Sequence, residues 1–234
     1  MRKAVAIGRW AIPLLFSWNL AAAESAPSTS ASGCQDKGET LVFVGRLISI
    51  QEVLPEPCPP NANRSCLLPR FDKEYVARYK VLERVTGRFD TDEVQFNVYS
   101  HRGFPAMALH PEALLFVWHR GEQYCLHRYQ GYAVHPTTDG GWAHCGEINS
   151  RTDDDAPTTG FGPQSFASDF GSAQQLDNDA DQGRFPRDAF TVENDRIVCP
   201  RGLALADLYE AVRSGLMKAR CAVLPPFAEA PADH

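Results

Sequence analysis

The chain has 234 residues, with 23 Lys+Arg against 29 Asp+Glu and seven histidines, for a formal net charge of −6. Taking away residues 1–23 removes Arg2, Lys3 and Arg9 and no acidic group, which leaves 20 basic against 29 acidic side chains. An acidic surface of that kind excludes nucleic acid and anionic membrane as natural partners, because both recruit cationic proteins.

The N-terminus places Arg2, Lys3 and Arg9 ahead of an apolar stretch at 10–20 and then Ala21, Ala22 and Ala23 before Glu24. This is the basic, apolar and small-residue order of a cleavable secretion signal, with cleavage expected after Ala23. The apolar stretch is broken by Pro13, Ser17 and Asn19 and is shorter than the ~20 residues that span a bilayer. The expectation is therefore an exported protein, periplasmic or extracellular, with no membrane span in the mature chain and a flexible N-terminus over 24–38.

Seven cysteines, Cys34, Cys58, Cys66, Cys125, Cys145, Cys199 and Cys221, all follow the signal and would meet an oxidising compartment. None forms a CxxC pair, which speaks against zinc and thiol-redox chemistry. Cys58 and Cys66 bracket a Pro/Asn-rich turn and are the expected local bridge. Cys199 and Cys221 flank a helix of ~17 residues, roughly 25 Å long, whereas a disulfide needs Cα atoms within about 7 Å, so each must pair elsewhere or stay free.

In chain order, TLVFVGRLISI at 40–50 reads as a long strand with a bulge or close approach at Gly45. Five prolines over 51–72 make the next stretch an irregular loop. In 74–85, Tyr75, Ala77, Tyr79 and Val81 alternate with Val76, Arg78, Lys80 and Leu82, which predicts a strand with one side toward solvent. EVQFNVYS at 93–100 alternates again. ALLFVWHR and YCLHRYQGYAV flank Gly121-Glu122 as a hairpin, with His119 opposite Tyr124 and Phe116 opposite His127, so that His119 and His127 face opposite ways and share no metal.

Residues 149–190 hold eight Asp between 151 and 188 and little apolar pattern, and are expected to be an acidic disordered loop. Leu205, Leu208, Tyr209, Val212 and Leu216 then recur at helical spacing, predicting a helix from about Leu203 to Arg220 that docks its apolar stripe on the sheet within a C-terminal segment 191–234. The fold class expected is mainly β with a C-terminal helix, a five-stranded Greek-key OB-like barrel over 39–148.

The segments TLVFVGRLISI, YVARYKVLERVTGRF and EVQFNVYS, with Thr86-Gly87 at the turn and ALLFVWHRGEQYCLHRY as the later hairpin, resemble the netrin-like module shared by the tissue inhibitors of metalloproteinases and their bacterial relatives. The resemblance implies an OB-type scaffold, and a scaffold does not by itself specify a function. It does not carry the inhibitory element, a Cys-x-Cys at the mature N-terminus, because Cys34 is followed by Gln35 and Asp36.

Six internal histidines, His101, His110, His119, His127, His135 and His144, are the candidates for catalysis, but no HExxH, GxSxG or glycine-rich phosphate loop accompanies them. Asp177, Asp179, Asp181 and Asp188 stand at positions one, three, five and twelve of a calcium loop, yet Gln182 occupies the sixth position, where glycine is needed; a solvated acidic loop is the simpler reading and no other cofactor is implied. Trp118, Tyr124, Tyr129 and Trp142 cluster around the hairpin as core residues or as a binding face. The functional expectation is an exported non-catalytic protein, an inhibitor or envelope interaction module, that binds another exported protein or a small ligand; the alternative is a periplasmic hydrolase whose His and Asp groups meet only in three dimensions.

Overall fold

The computed structural model describes residues 38–55, 71–101, 103–148, 160–176, 183–220 and 222–227. Strands β1 (Glu39–Glu52), β2 (Lys73–Thr86), β3 (Glu93–Ser100), β4 (Glu112–Arg120) and β5 (Gln123–Ala133) form a closed barrel in the order β1-β2-β3-β5-β4. Closure is made by β1 against β4, paired from Glu39↔His119 to Arg46↔Glu112. Neighbours are antiparallel except β3 and β5, which meet in parallel at Asn97↔Cys125.

The alternation read from the sequence sets which side chains enter the barrel. Tyr75, Ala77 and Tyr79 of β2 and Val94, Phe96 and Val98 of β3 point inward and are buried, while Arg78 and Lys80 are exposed. Phe43, Ala113, Leu115, Val117 and Leu126 join them, and Met107 from the turn between β3 and β4 packs into the same interior cluster. Gly45 is both a register shift and a close approach: a Cβ there would lie 2.9 Å from the Phe43 ring and 3.1 Å from Tyr79.

The hairpin turns at Gly121-Glu122, with Gly121 at φ 61°, and His119 faces Tyr124 as expected. The expected pairing of Phe116 with His127 does not form. The ladder runs from Val117↔Leu126 to Leu115↔Gly131, which bulges the second strand around Tyr129 at φ 62°. His127 instead shares a 2.9 Å hydrogen bond with Thr40 on β1, whose strand neighbour across the sheet is Trp118, so His127 and His119 do occupy opposite faces.

Helix α2 (Leu205–Val212) continues as a π-helical turn at Arg213–Met217 and covers the outer face of β1 and β4. Leu205, Leu208, Tyr209 and Val212 pack on Val42, Val44, Leu114 and Phe116, and Tyr209 stacks on Phe116 with ring centroids 6.0 Å apart. Two features differ from the helical spacing. Leu203 belongs to a preceding strand, and the wider π turn moves the buried position from the expected Leu216 to Met217.

A second sheet of short strands, absent from the sequence reading, flanks the barrel. It comprises β6 (His135–Pro136), β7 (Trp142–Cys145), β8 (Gly162–Pro163) and β11 (Arg201–Ala204) in the order β6-β7-β11-β8. Beside it lie helix α1 (Ala173–Leu176) and a hairpin of β9 (Thr191–Glu193) and β10 (Arg196–Val198), turned at Asn194-Asp195 with both residues at positive φ.

The segment 149–190, expected to be disordered, supplies much of this region's core in its described parts, 160–176 and 183–190. Phe166, Phe170, Leu176, Phe185 and Phe190 gather with Ile197 around a disulfide between Cys145 and Cys199. Four phenylalanines at irregular spacing have no period for sequence reading to detect, and the disulfide reduces the apolar area this small cluster needs.

Cys199 thus pairs away from Cys221, as the helix between them requires. Cys125 is also disulfide-bonded. The expected signal segment, Cys34, the Cys58–Cys66 bridge, and Asp177, Asp179 and Asp181 lie outside the described residues. Among the described residues no helix is long and apolar enough to cross a membrane.

The Cys145–Cys199 bridge closes a sequence separation of 54. Replacing both cysteines by Ser is expected to lower unfolding free energy by about 4 kcal/mol on chain entropy. Urea titration of the double variant against the oxidised protein measures this loss, and equal midpoints would contradict it.

Candidate functional site

Three histidines from separate elements meet at one cavity. His110 follows the 3-10 turn Ala106–Leu109, His135 starts the small hairpin on β6, and His144 lies on β7 paired across to Leu203. The cavity is about 310 Å³, and its wall also includes Met107, Tyr132, Phe190, Arg184, Glu147 and Asp188.

The rings are set nearly at right angles to their neighbours. His110 and His135 have centroids 5.0 Å apart at 79°, His135 meets Phe170 at 4.6 Å and 87°, and Tyr132 meets His144 at 6.1 Å and 84°. Edge-to-face packing of this kind directs positive ring edges at negative faces.

Two tautomers follow from geometry alone. His110 Nε2 lies 2.8 Å from the Arg184 carbonyl and His144 Nδ1 lies 2.7 Å from the Ala133 carbonyl. A carbonyl only accepts, so each of these nitrogens carries the proton and donates. In the neutral ring the other nitrogen, His110 Nδ1 or His144 Nε2, then holds a lone pair. His135 Nε2 is buried with no hydrogen-bond partner among the described residues.

Burial keeps the rings uncharged. Desolvation, opposed by the bond to the Arg184 carbonyl, lowers His110 to about 4. Desolvation, with the neighbouring His110 and His144, lowers His135 to about 3. His144 is lowered as well, again by burial, against the bond to Ala133. Burial thus lowers the proton affinity of all three rings, and their neutral forms are what the cavity presents at pH 7.

The carboxylates differ in setting. Asp188 is exposed at the cavity and has no ion-pair or hydrogen-bond partner among the described residues, whereas Glu147 is engaged. Arg184 lies over the Phe185 ring, 5.1 Å from its centroid, with its Nε buried and unpartnered among the described residues. Of the described residues lining the cavity, none is Ser, Thr or Lys, and the Cys145 sulfur is committed to the disulfide. Among the described residues no group of three His, Cys, Asp or Glu could hold a metal ion.

The four aromatic residues singled out by sequence do not converge. Trp118 is buried on β4, Tyr124 stacks on His119 at 5.2 Å, and Trp142 packs against the cluster under α2. Tyr129 is exposed on the bulge with the Arg128 guanidinium 5.2 Å above its ring. Of the candidate calcium ligands only Asp188 is described. His110, His135 and His144 were among the sequence candidates, but nothing in their spacing marks these three out, because their elements are joined only by the folded chain.

A wider cavity of about 610 Å³ lies between the start of β1 and residues 220–225, with Glu39, Thr40, His127 and Arg220 in its wall. No protein-family profile matches the chain, and no curated protein or solved structure matches it. Fold and site together define a disulfide-bonded, closed five-stranded β-barrel with a histidine-walled cavity beside it.

Unfolded histidines take up protons near pH 6.5, while folded His110 and His135 resist protonation until about 4 and about 3. The unfolded state therefore binds more protons across that window, and stability falls as pH drops through it. The expected loss is of order 3 kcal/mol for His110 by pH 4 and of order 5 kcal/mol for His135 by pH 3, each partly developed at pH 4.5. Denaturation free energies measured at pH 7 and pH 4.5 check this, and His135→Phe should flatten the dependence.

Proposed function

We propose that this chain is an exported, non-catalytic binding protein on a netrin-like, OB-type Greek-key barrel. The strand order β1-β2-β3-β5-β4 with parallel β3 and β5 supports the scaffold, as does the sequence resemblance across 38–148. A buried disulfide is consistent with an oxidising, exported location, which the basic and apolar N-terminus also favours. In this reading the chain binds another exported protein or a small ligand, acting as an inhibitor or an envelope interaction module. Inhibition by the metalloproteinase-inhibitor route is outside it, since Cys34 stands without the second cysteine of the chelating element.

The observation that carries the binding role is the chemistry of the cavity. It gathers three uncharged imidazoles, and among the described residues its wall offers no hydroxyl of Ser or Thr, no amine of Lys and no free thiol to act as a nucleophile. A second reading, a periplasmic hydrolase, is favoured by one feature: the same cavity brings three histidines beside two carboxylates, Glu147 and Asp188, which could act on a bound water.

Export is tested by expressing the full chain and sequencing the N-terminus of the protein recovered from the exported fraction. It is expected to begin at Glu24; an uncut protein retained in the cytoplasm would refute the address. Role is tested with the exported, oxidised protein, immobilised and challenged with the exported fraction of its own source while ester, peptide, phosphoester and glycoside substrates are assayed in parallel. Saturable retention of a partner without turnover is expected, and turnover lost in His144→Phe would replace this reading with the hydrolase.

A further inference from the structure

We propose that the cavity walled by His110, His135 and His144 is a binding site for a small, uncharged aromatic ligand that carries an O–H or N–H donor, phenol being the simplest member of the class. The inference rests on the reading of the chain as a binding protein and names the ligand chemistry of one site on it.

Size comes first. At about 310 Å³ the cavity stands at the small end of the roughly 300–1,000 Å³ that ligand sites occupy, which suits a single ring. The wall explains why the ligand is aromatic: His110, His135, Tyr132 and Phe190 present ring edges and faces, and Met107 adds a polarisable sulfur.

Hydrogen bonding explains the donor. His110 and His144 have each spent their N–H on a backbone carbonyl, Arg184 and Ala133 respectively. What each ring has left is a lone pair, so the ligand has to bring the proton. A hydrocarbon would leave these acceptors dry and unpaired, which costs binding.

Charge explains why the ligand is neutral. Arg184 and Asp188 both line the wall and the third charged group there, Glu147, is already engaged, so no single sign of charge dominates. An ion would also exchange its hydration for imidazoles that stay uncharged, and that desolvation is not returned.

Four probes of similar size separate these terms: phenol, toluene, benzoate and benzylammonium, titrated calorimetrically into the oxidised full-length protein at neutral pH. Phenol is expected to bind saturably and at least about 10-fold more tightly than toluene, with both ions weaker than phenol. His144→Phe keeps a ring and removes the acceptor, so it should bring phenol down to the level of toluene. Ala106→Trp, at an exposed position of the cavity wall, should weaken both without perturbing the fold, with the melting temperature as control.

Phenol no better than toluene, tighter binding of either ion, or phenol affinity unchanged in Ala106→Trp would overturn the assignment. Failure of every probe while an exported partner is still retained would end this inference and leave the binding-protein reading in place. Hydrolysis of phenyl acetate that disappears in His144→Phe would end both.

Discussion

The arrangement of the whole protein depends on one pair of strands being buried on both faces. Leu41 through Val44 of β1 and Ala113 through Val117 of β4 are fully inaccessible, so alternate side chains serve two different cores. Phe43, Leu115 and Val117 fill the barrel, while Val42, Val44, Leu114 and Phe116 form the floor beneath α2. The β1–β4 ladder is also what closes the barrel, since it joins the first strand to the fourth along eight pairs. A strand that slips by one residue there would exchange its two sets of side chains at once, and this double commitment holds the register. The helix follows from the same constraint: an apolar outer face of this size would otherwise be a large exposed patch.

Beyond the barrel the means of stabilisation change. The short strands β6 to β8 and β11 bury too little to stand alone, and the region is held by a disulfide inside a cluster of phenylalanines. Cys145 follows His144 directly, so the bridge that ties β7 to the β10–β11 junction also fixes one wall of the cavity. The phenylalanines do likewise for His135, which meets Phe166 and Phe170 edge to face. Site and staple are thus one piece of structure.

Sequence reading succeeded where a physical period exists. Tyr75-Ala77-Tyr79 and Val94-Phe96-Val98 alternate because one face of each strand is buried, and the structure places those strands within a residue or two of their expected ends. The helix was legible for the same reason, up to the π turn that shifts Leu216 out and Met217 in. Two-residue strands such as His135–Pro136 carry no period at all, and Phe166, Phe170, Phe185 and Phe190 sit among aspartates in a stretch whose composition suggests disorder. The cavity was illegible on that account: its histidines are defined by a hairpin, a short turn and a disulfide-held segment, none of which announces itself locally.

The cavity's electrostatics link its stability to its chemistry. A histidine kept neutral by burial costs the folded state nothing at pH 7, where the unfolded ring is mostly neutral too, and the cost emerges only on acidification. The protein can therefore hold three imidazoles together in a low-dielectric wall without compensating carboxylates in contact with each ring. A catalytic histidine needs the reverse arrangement, with a proton affinity near the working pH and a partner that stabilises the charged form. Here the partners are backbone carbonyls that fix tautomers, and the neighbours are rings and Arg184, which oppose the charge. Burial holds the proton affinity of this wall below the ordinary histidine range. The nitrogens opposite those carbonyls, His110 Nδ1 and His144 Nε2, keep lone pairs that accept hydrogen bonds.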